Sequence, residues 1–335
     1  MLLHFTPKTG YFTPLLLTGV LVALFLIEPY QSRAQTPPLP MPFWQSFFAR
    51  PTALQSPPSN PTTKSKISLG QELFYDGGLS SDGKASCATC HQVEFGYSDG
   101  GKSARPQDNR PMARDTPTLW NIGWAKRLLW DASAVTLEAQ AFQPIGSIHE
   151  MAANWTDILK YLSHNEQYRN AFAKAFPNSS EPNKQNTVKA LAAFQRSLRS
   201  PITRFDRWID GDTNALTKSE RDGFFLFVGK AGCVGCHAGW RFTDDALYDI
   251  GLSATGTNQR QRFKTPTLRM LDLTAPYMHD GRFASLDDVL AHYLDQAHLR
   301  PGVSEKIRRQ NALTERQRAD LVNFLKTLST PNTPR

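Results

Sequence analysis

The sequence predicts a mostly α-helical fold made of two similar halves. Three observations carry that expectation. Apolar residues recur at helical spacing from residue 64 onward, with no convincing hairpin or alternating strand. A Cys-x-x-Cys-His pentapeptide occurs twice, and so does a Thr-Pro-Thr-Leu string, at nearly the same interval. The pentapeptides are Cys87-Ala-Thr-Cys90-His91 and Cys233-Val-Gly-Cys236-His237, and they use all four cysteines of the 335-residue chain. Two thiols at this spacing can form thioethers with the vinyl groups of one haem, and the adjacent His then supplies the proximal nitrogen to its iron. A zinc site or a redox Cys-x-x-Cys is the alternative, but neither calls for the His that trails both pairs. The expected fold class is therefore mostly α, with two cytochrome c-like domains that each hold one covalently bound haem and are related by internal duplication.

Residues 1–34 read as a signal peptide. Lys8 precedes an apolar run at 14–27, shorter than the ~20 residues a membrane-spanning helix needs. Ser32-Arg33-Ala34 then offers small residues for cleavage. An uncleaved membrane anchor is the alternative. Either way the folded part is exported, as covalent haem attachment in bacteria also requires, so the expected location is the periplasm. The formal charge is +8. Loss of residues 1–34 would remove Lys8, Arg33 and Glu28 and leave +7. No basic cluster interleaved with aromatic residues accompanies this charge, which argues against nucleic acid and reads as a surface property suited to an acidic redox partner.

Residues 35–63 carry eight prolines between Pro37 and Pro61 and read as a Pro-rich linker, interrupted by Phe43, Trp44, Phe47 and Phe48, a short segment that packs on its own domain. An N-terminal domain is expected over 64–205 and a C-terminal one over 206–335. A short helix over 69–75 leads into the first pentapeptide, and helices follow over 154–162, 166–176 and 187–198. Thr217 with Glu220 makes a capping box for the helix entering the second pentapeptide, and Thr314 with Gln317 caps a last helix ending near Leu328. The repeat aligns these parts. Thr116-Pro117-Thr118-Leu119 recurs 149 residues later as Thr265-Pro266-Thr267-Leu268, and the pentapeptides lie 146 apart. At the 149-residue offset Asp131 meets Asp280, Leu137 meets Leu286, Trp130 meets His279 and Pro144 meets Tyr293.

The group opposite each proximal His decides what each iron does: a strong sixth ligand gives an electron-transfer centre, and an open position admits a small substrate. Ser285 caps a helix that carries Leu286, Val289, Leu290 and Tyr293 on one face. The residues alone leave Tyr293 either a core tyrosine or an iron ligand, whereas Pro144 has no group that can ligate iron.

These motifs resemble the bacterial di-haem cytochrome c peroxidase family, and most of all its methylamine-utilisation (MauG-type) branch. The resemblance runs over about residues 66–330. It rests on the two pentapeptides together with Leu69-Gly70, Leu73-Phe74, Asp115-Thr116-Pro117-Thr118-Leu119, Leu129-Trp130-Asp131, His149-Glu150-Met151, Phe263-Lys264-Thr265-Pro266-Thr267-Leu268 and residues 274–281, Thr-Ala-Pro-Tyr-Met-His-Asp-Gly.

It implies that the first haem is peroxidatic, with Glu150 as distal acid and base, Gln140 as a distal amide, Pro144 as a pocket wall and Trp130 as the indole between the haems. It implies a second haem that transfers electrons, with Tyr293 as sixth ligand where other members have Met. Met278 and His292 rank below it. It also implies a calcium ion held by the Asp115 carboxylate and the carbonyls of Thr274 and Pro276. The implied partners are hydrogen peroxide and a small redox protein, cytochrome c or cupredoxin, or else a substrate protein. The resemblance also admits a homodimer.

Two departures from the family stand out. Many members carry a distal His that blocks the first haem, and no His lies between His91 and His149. The MauG-type maturase uses a surface Trp just before the second haem site to make tryptophan tryptophylquinone on methylamine dehydrogenase, and Ala231 stands there here. The expected activity is thus an exported di-haem peroxidase. The alternatives are a MauG-like oxidase of a partner protein and a plain di-haem electron carrier.

Overall fold

The computed structural model describes residues 40–101, 112, 114–252, 261–294, 301–308 and 312–330. The signal-peptide segment 1–34 and the first residues of the Pro-rich stretch lie outside them. Twelve α-helices are seen among the described residues. In the first half they are α1 (Met41–Phe48), α2 (Lys64–Tyr75), α3 (Cys87–Cys90), α4 (Leu137–Gly146), α5 (Trp155–His164), α6 (Glu166–Ala175) and α7 (Lys184–Ser197). The second half has α8 (Arg204–Ile209), α9 (Lys218–Val228), α10 (Leu286–Leu294), α11 (Glu305–Arg308) and α12 (Glu315–Lys326). One antiparallel pair, β1 (Leu247–Tyr248) with β2 (Phe263–Lys264), departs from the strand-free expectation. Two residues per strand are too few to leave an alternating pattern.

Side-chain caps set the helix starts. The Thr63 hydroxyl accepts from the Lys66 amide at 3.3 Å and starts α2 five residues before the apolar pattern suggests. The Asn183 carboxamide oxygen does the same for α7 from the Asn186 amide at 2.9 Å. Thr217 with Glu220 and Thr314 with Gln317 form the two expected capping boxes.

The described residues belong to one compact unit, in which the buried side chains gather into two large clusters and one small one. The first large cluster joins Leu69, Leu73 and Phe74 of α2 to Val188, Leu191 and Phe194 of α7. The second joins Phe224 and Phe227 of α9 to Leu321 and Phe324 of α12, and it also buries Trp44 and Phe48 of α1. The aromatic segment inside the Pro-rich stretch therefore packs on the second half of the chain. Arg50, just after α1, ties it down. Its guanidinium donates to Asp206 at 3.1 Å and to the Ser200 carbonyl at 2.7 Å, while Arg269 reaches the other Asp206 oxygen at 2.8 Å.

The same local geometry recurs in both halves. Gly70 faces the Ala190 carbonyl and Phe194, and Gly223 faces the Asp320 carbonyl and Phe324, so a methyl group at either glycine would strike the backbone of the crossing helix. The Thr118 hydroxyl donates to the Gly96 carbonyl at 2.5 Å, and the Thr267 hydroxyl to the Arg241 carbonyl at 2.6 Å. Bridges pair Leu128 with Ala134 and Tyr277 with Phe283. Helices α4 and α10 both start at a leucine after a hydroxyl residue, Thr136 or Ser285, that accepts an amide at 3.1 Å. Among the described residues no helix is long and apolar enough to cross a membrane.

Candidate active site

The α2–α7 and α9–α12 pairs stand behind one cavity of about 520 Å³. Both pentapeptides line it, through Cys87, Cys90 and His91 and through Cys233, Cys236 and His237. The four cysteines are free. Burial pushes the Cys87 and Cys233 thiols up to about 12, and those of Cys90 and Cys236 up to about 11. No group of three or more His, Cys, Asp or Glu converges as a metal site among the described residues.

Each pentapeptide His is oriented in the same way. His91 Nδ1 donates to the Tyr97 carbonyl at 2.8 Å and His237 Nδ1 to the Phe242 carbonyl at 3.0 Å. This leaves Nε2 of each ring with its lone pair free for a metal. Burial holds both imidazoles below their usual range, in the neutral form that ligation needs. Two sets of paired thiols, each beside a pre-oriented imidazole on an apolar wall, fit two c-type haems.

The two ends of the cavity differ. Over the first pentapeptide α4 presents Gln140 and Pro144, and the turn after it presents Glu150. That turn is pinned by the Glu150 amide donating to the Ser147 carbonyl at 3.0 Å and the Met151 amide donating to the Pro144 carbonyl at 3.1 Å. Burial raises the Glu150 carboxyl above its usual range, opposed by a hydrogen bond from Ser147 and by His149. Over the second pentapeptide α10 presents Leu286, Val289, Leu290 and Tyr293 to the cavity. Burial raises the Tyr293 phenol well above its usual range, and the neighbouring Cys236 and Cys233 add to that. Of the two lower-ranked ligand candidates, Met278 lines the cavity, whereas His292 does not and its Nε2 meets the Ile250 carbonyl at 2.9 Å.

Trp130 lies on the wall where the halves meet. Its Nε1 donates to the Asp115 carbonyl at 2.8 Å, and its own carbonyl accepts from the Lys264 amide at 2.7 Å. Asp115, Thr274 and Pro276 line the same cavity. Asp115 Oδ1 is buried without a hydrogen-bond partner. Burial, with Asp99 and Asp280 nearby, pushes the Asp115 carboxyl up to about 8. An orphaned buried carboxylate of this kind fits a cation.

Ala231 is buried beside Cys233, with 2% exposure, so no surface side chain stands at that position. Trp208 is in the second core cluster, and Trp240 packs edge-on to Trp124 with ring centres 5.2 Å apart. The sequence reading did not reach Trp120, which also lines the cavity. Its place directly after the first Thr-Pro-Thr-Leu string was the available signal.

Comparison with known proteins identifies relatives of this chain. The sequence profile described as di-haem cytochrome c peroxidase matches residues 64–214. The methylamine utilization protein MauG of Methylorubrum extorquens is 41% identical over 293 residues, spanning 84% of this chain and 83% of that protein. Cytochrome c551 peroxidase of Nitrosomonas europaea is 31% identical, over 80% of this chain and 81% of its own length. The crystal structure of a MauG-like protein associated with microbial copper homeostasis superposes with a TM-score of 0.74 at 29% identity, covering 86% of this chain and 96% of that one. The diheme peroxidase BthA of Burkholderia thailandensis superposes at 0.67 with 21% identity, over 83% and 88% of the two chains, and so shares the fold.

Proposed function

The chain belongs to the di-haem cytochrome c peroxidase family, and from that premise we propose that it is an exported peroxidase. It reduces hydrogen peroxide at the haem of the first pentapeptide, with electrons delivered through the haem of the second. The observation that carries this reading is the asymmetry of one shared cavity, in which a half-buried carboxylate faces one pentapeptide and a phenol faces the other. When bound, the haems supply the iron centres that exchange electrons with peroxide and with the donor.

Everything else is asked of the chain. Cys87, Cys90 and His91 would hold the first haem, and Cys233, Cys236 and His237 the second. The Glu150 carboxylate takes the first proton of hydrogen peroxide and returns it to the departing oxygen. Gln140 orients the bound peroxide, and Pro144 leaves space for it. Trp130, anchored at both its indole nitrogen and its carbonyl, bridges the two ends of the cavity as an electron relay. Tyr293 would supply a ligand to the second iron. Burial favours the neutral phenol, so the positive charge of a bound ferric iron would be what favours its ionisation. Asp115, with the Thr274 and Pro276 carbonyls, would hold calcium and relieve the buried carboxylate. The paired hydrogen bonds around the two Thr-Pro-Thr-Leu strings support internal duplication as the origin of the two halves.

Tyr293 also favours a second reading, a MauG-like oxidase that modifies a partner protein. The buried Ala231 argues against the maturase's own route to such a partner. For the peroxidase reading the test is stopped-flow mixing of the di-haem protein with peroxide, wild type against Glu150→Gln. The amide cannot take the proton, so the peroxide reaction should slow by about 10²–10⁴-fold. Equal rates would remove Glu150 from the mechanism.

A further inference from the structure

We propose that Trp120, Tyr97 and Tyr75 form a relay from the first end of the cavity to the surface, and that Tyr75 is a second oxidation site, for small phenolic reductants. The proposal rests on the reading of the first haem as the peroxidatic one. Trp120 lines the cavity beside the first pentapeptide. Tyr97 packs edge-on against it, with ring centres 5.0 Å apart and planes at 83°. Tyr97 is 7% exposed and its phenol neighbours that of Tyr75, which is 48% exposed, and both rings pack on Phe74, with ring centres 6.4 and 5.4 Å away. The Tyr97 carbonyl also accepts from His91 Nδ1, so the chain of rings begins against the proximal ligand. Three oxidisable side chains thus run without a break from cavity to solvent.

The second half supplies the control. Arg269 follows the second Thr-Pro-Thr-Leu string as Trp120 follows the first, and both backbone amides donate to the threonine hydroxyl two residues back, at 3.2 and 3.1 Å. The Phe242 carbonyl holds His237 as the Tyr97 carbonyl holds His91, and both residues have positive φ, 54° and 59°. Val228 stands five residues after Gly223, as Tyr75 stands five after Gly70. Trp, Tyr and Tyr in the half with the open pocket are replaced by Arg, Phe and Val in the half with Tyr293. The shared framework does not need oxidisable groups at these positions, and the half in which oxidising equivalents would arise has them at all three.

The chemistry balances. Trp120 Nε1 has no hydrogen-bond partner, so an oxidised Trp120 keeps its proton and passes the electron deficit on. Tyr97 refills Trp120 with one electron and lends its proton to the Tyr75 oxygen. Tyr75 then gives one electron to Tyr97, the lent proton returns, and the proton of Tyr75 leaves to water. The Tyr75 phenoxyl takes a hydrogen atom from an external phenol, whose O–H bond breaks as that of Tyr75 re-forms. Two such cycles supply the two electrons, and with them two protons, that turn one hydrogen peroxide into two waters.

The test mixes the full di-haem protein with peroxide, without donor, and follows the tyrosyl radical by freeze-quench electron paramagnetic resonance alongside the haem absorption. Wild type should give a tyrosyl signal. Tyr75→Phe should lose it and lose most of its peroxide-driven oxidation of guaiacol. Tyr161→Phe, which removes an exposed phenol bound instead to Asp76, should keep both. Peroxide-driven haem changes with the same radical in wild type and Tyr75→Phe would overturn the relay and leave the peroxidase reading standing. No haem change in any of the three proteins would overturn both.

Discussion

Asp115 shows how a single residue couples the fold to its site. Its carboxyl is pushed up to about 8 by burial and by two neighbouring acids. The native state therefore favours the protonated form, while the unfolded chain ionises in the ordinary carboxylate range. The stabilisation this gives is complete at acid pH and is lost as pH rises from about 4 through about 8. Without calcium, the melting temperature should fall as pH rises through that window, and Asp115→Asn, which cannot ionise, should flatten the fall. If Asp115 holds calcium as proposed, the cation should raise the melting temperature of the wild type most at the alkaline end, where the carboxylate is charged. Thermal melts of both proteins across pH, with and without a chelator, would decide this, and parallel slopes would show that Asp115 does not titrate there. Glu150 follows the same logic more mildly. Its raised carboxyl means that the basic form, the one the proposed peroxide reaction requires, is lost at a higher pH than for an exposed glutamate.

At the scale of elements, the two helix crossings are held by close backbone approach. Gly70 of α2 meets the Ala190 carbonyl of α7, and Gly223 of α9 meets the Asp320 carbonyl of α12. Alanine would ordinarily favour a helix interior by up to about 1 kcal/mol over glycine. Here the added methyl forces the helices apart, and overpacking of this kind costs about 1–3 kcal/mol. Gly70→Ala and Gly223→Ala should each lower stability in denaturant unfolding, and a stabilised Gly70→Ala would show that the crossing can spread without loss.

How far these elements were legible in the sequence followed the range of the forces behind them. The Thr217 and Thr314 caps, the Ser285 cap and the repeat are local or literal, and they read directly. The start of α2 was missed because Thr63 caps it without a partner glutamate three residues on. The place of α1 was hidden because its proline-rich surroundings look like linker, while its burial depends on Phe205, Phe224 and Phe242, more than 150 residues away. Glu150 could be located only by resemblance, since the turn that carries it is fixed by the carbonyls of Ser147 and of Pro144 in α4 and leaves no periodic pattern in the sequence. Trp120, Tyr97 and Tyr75 lie apart in sequence and meet only in the fold.

Over the whole molecule, one backbone plan carries two sets of side chains, and the difference falls at equivalent places. Leu137 opens α4 and Leu286 opens α10, so Pro144 and Tyr293 are both the eighth residue of their helices, and both line the cavity. Pro144 cannot donate to the helix carbonyl one turn earlier and offers no ligand. A tyrosine there regains the amide, so Pro144→Tyr should not break α4. It should instead place a phenol over the first pentapeptide as Tyr293 stands over the second. The ferric protein should then lose its high-spin signal in electron paramagnetic resonance and gain a second low-spin one, and its reaction with peroxide should slow together with that change. A retained high-spin signal would mean that the two helices are not interchangeable, and that the open first end depends on more than the missing ligand. The expected result would make a single position, repeated 149 residues apart, responsible for dividing one cavity into an end that binds peroxide and an end that passes electrons.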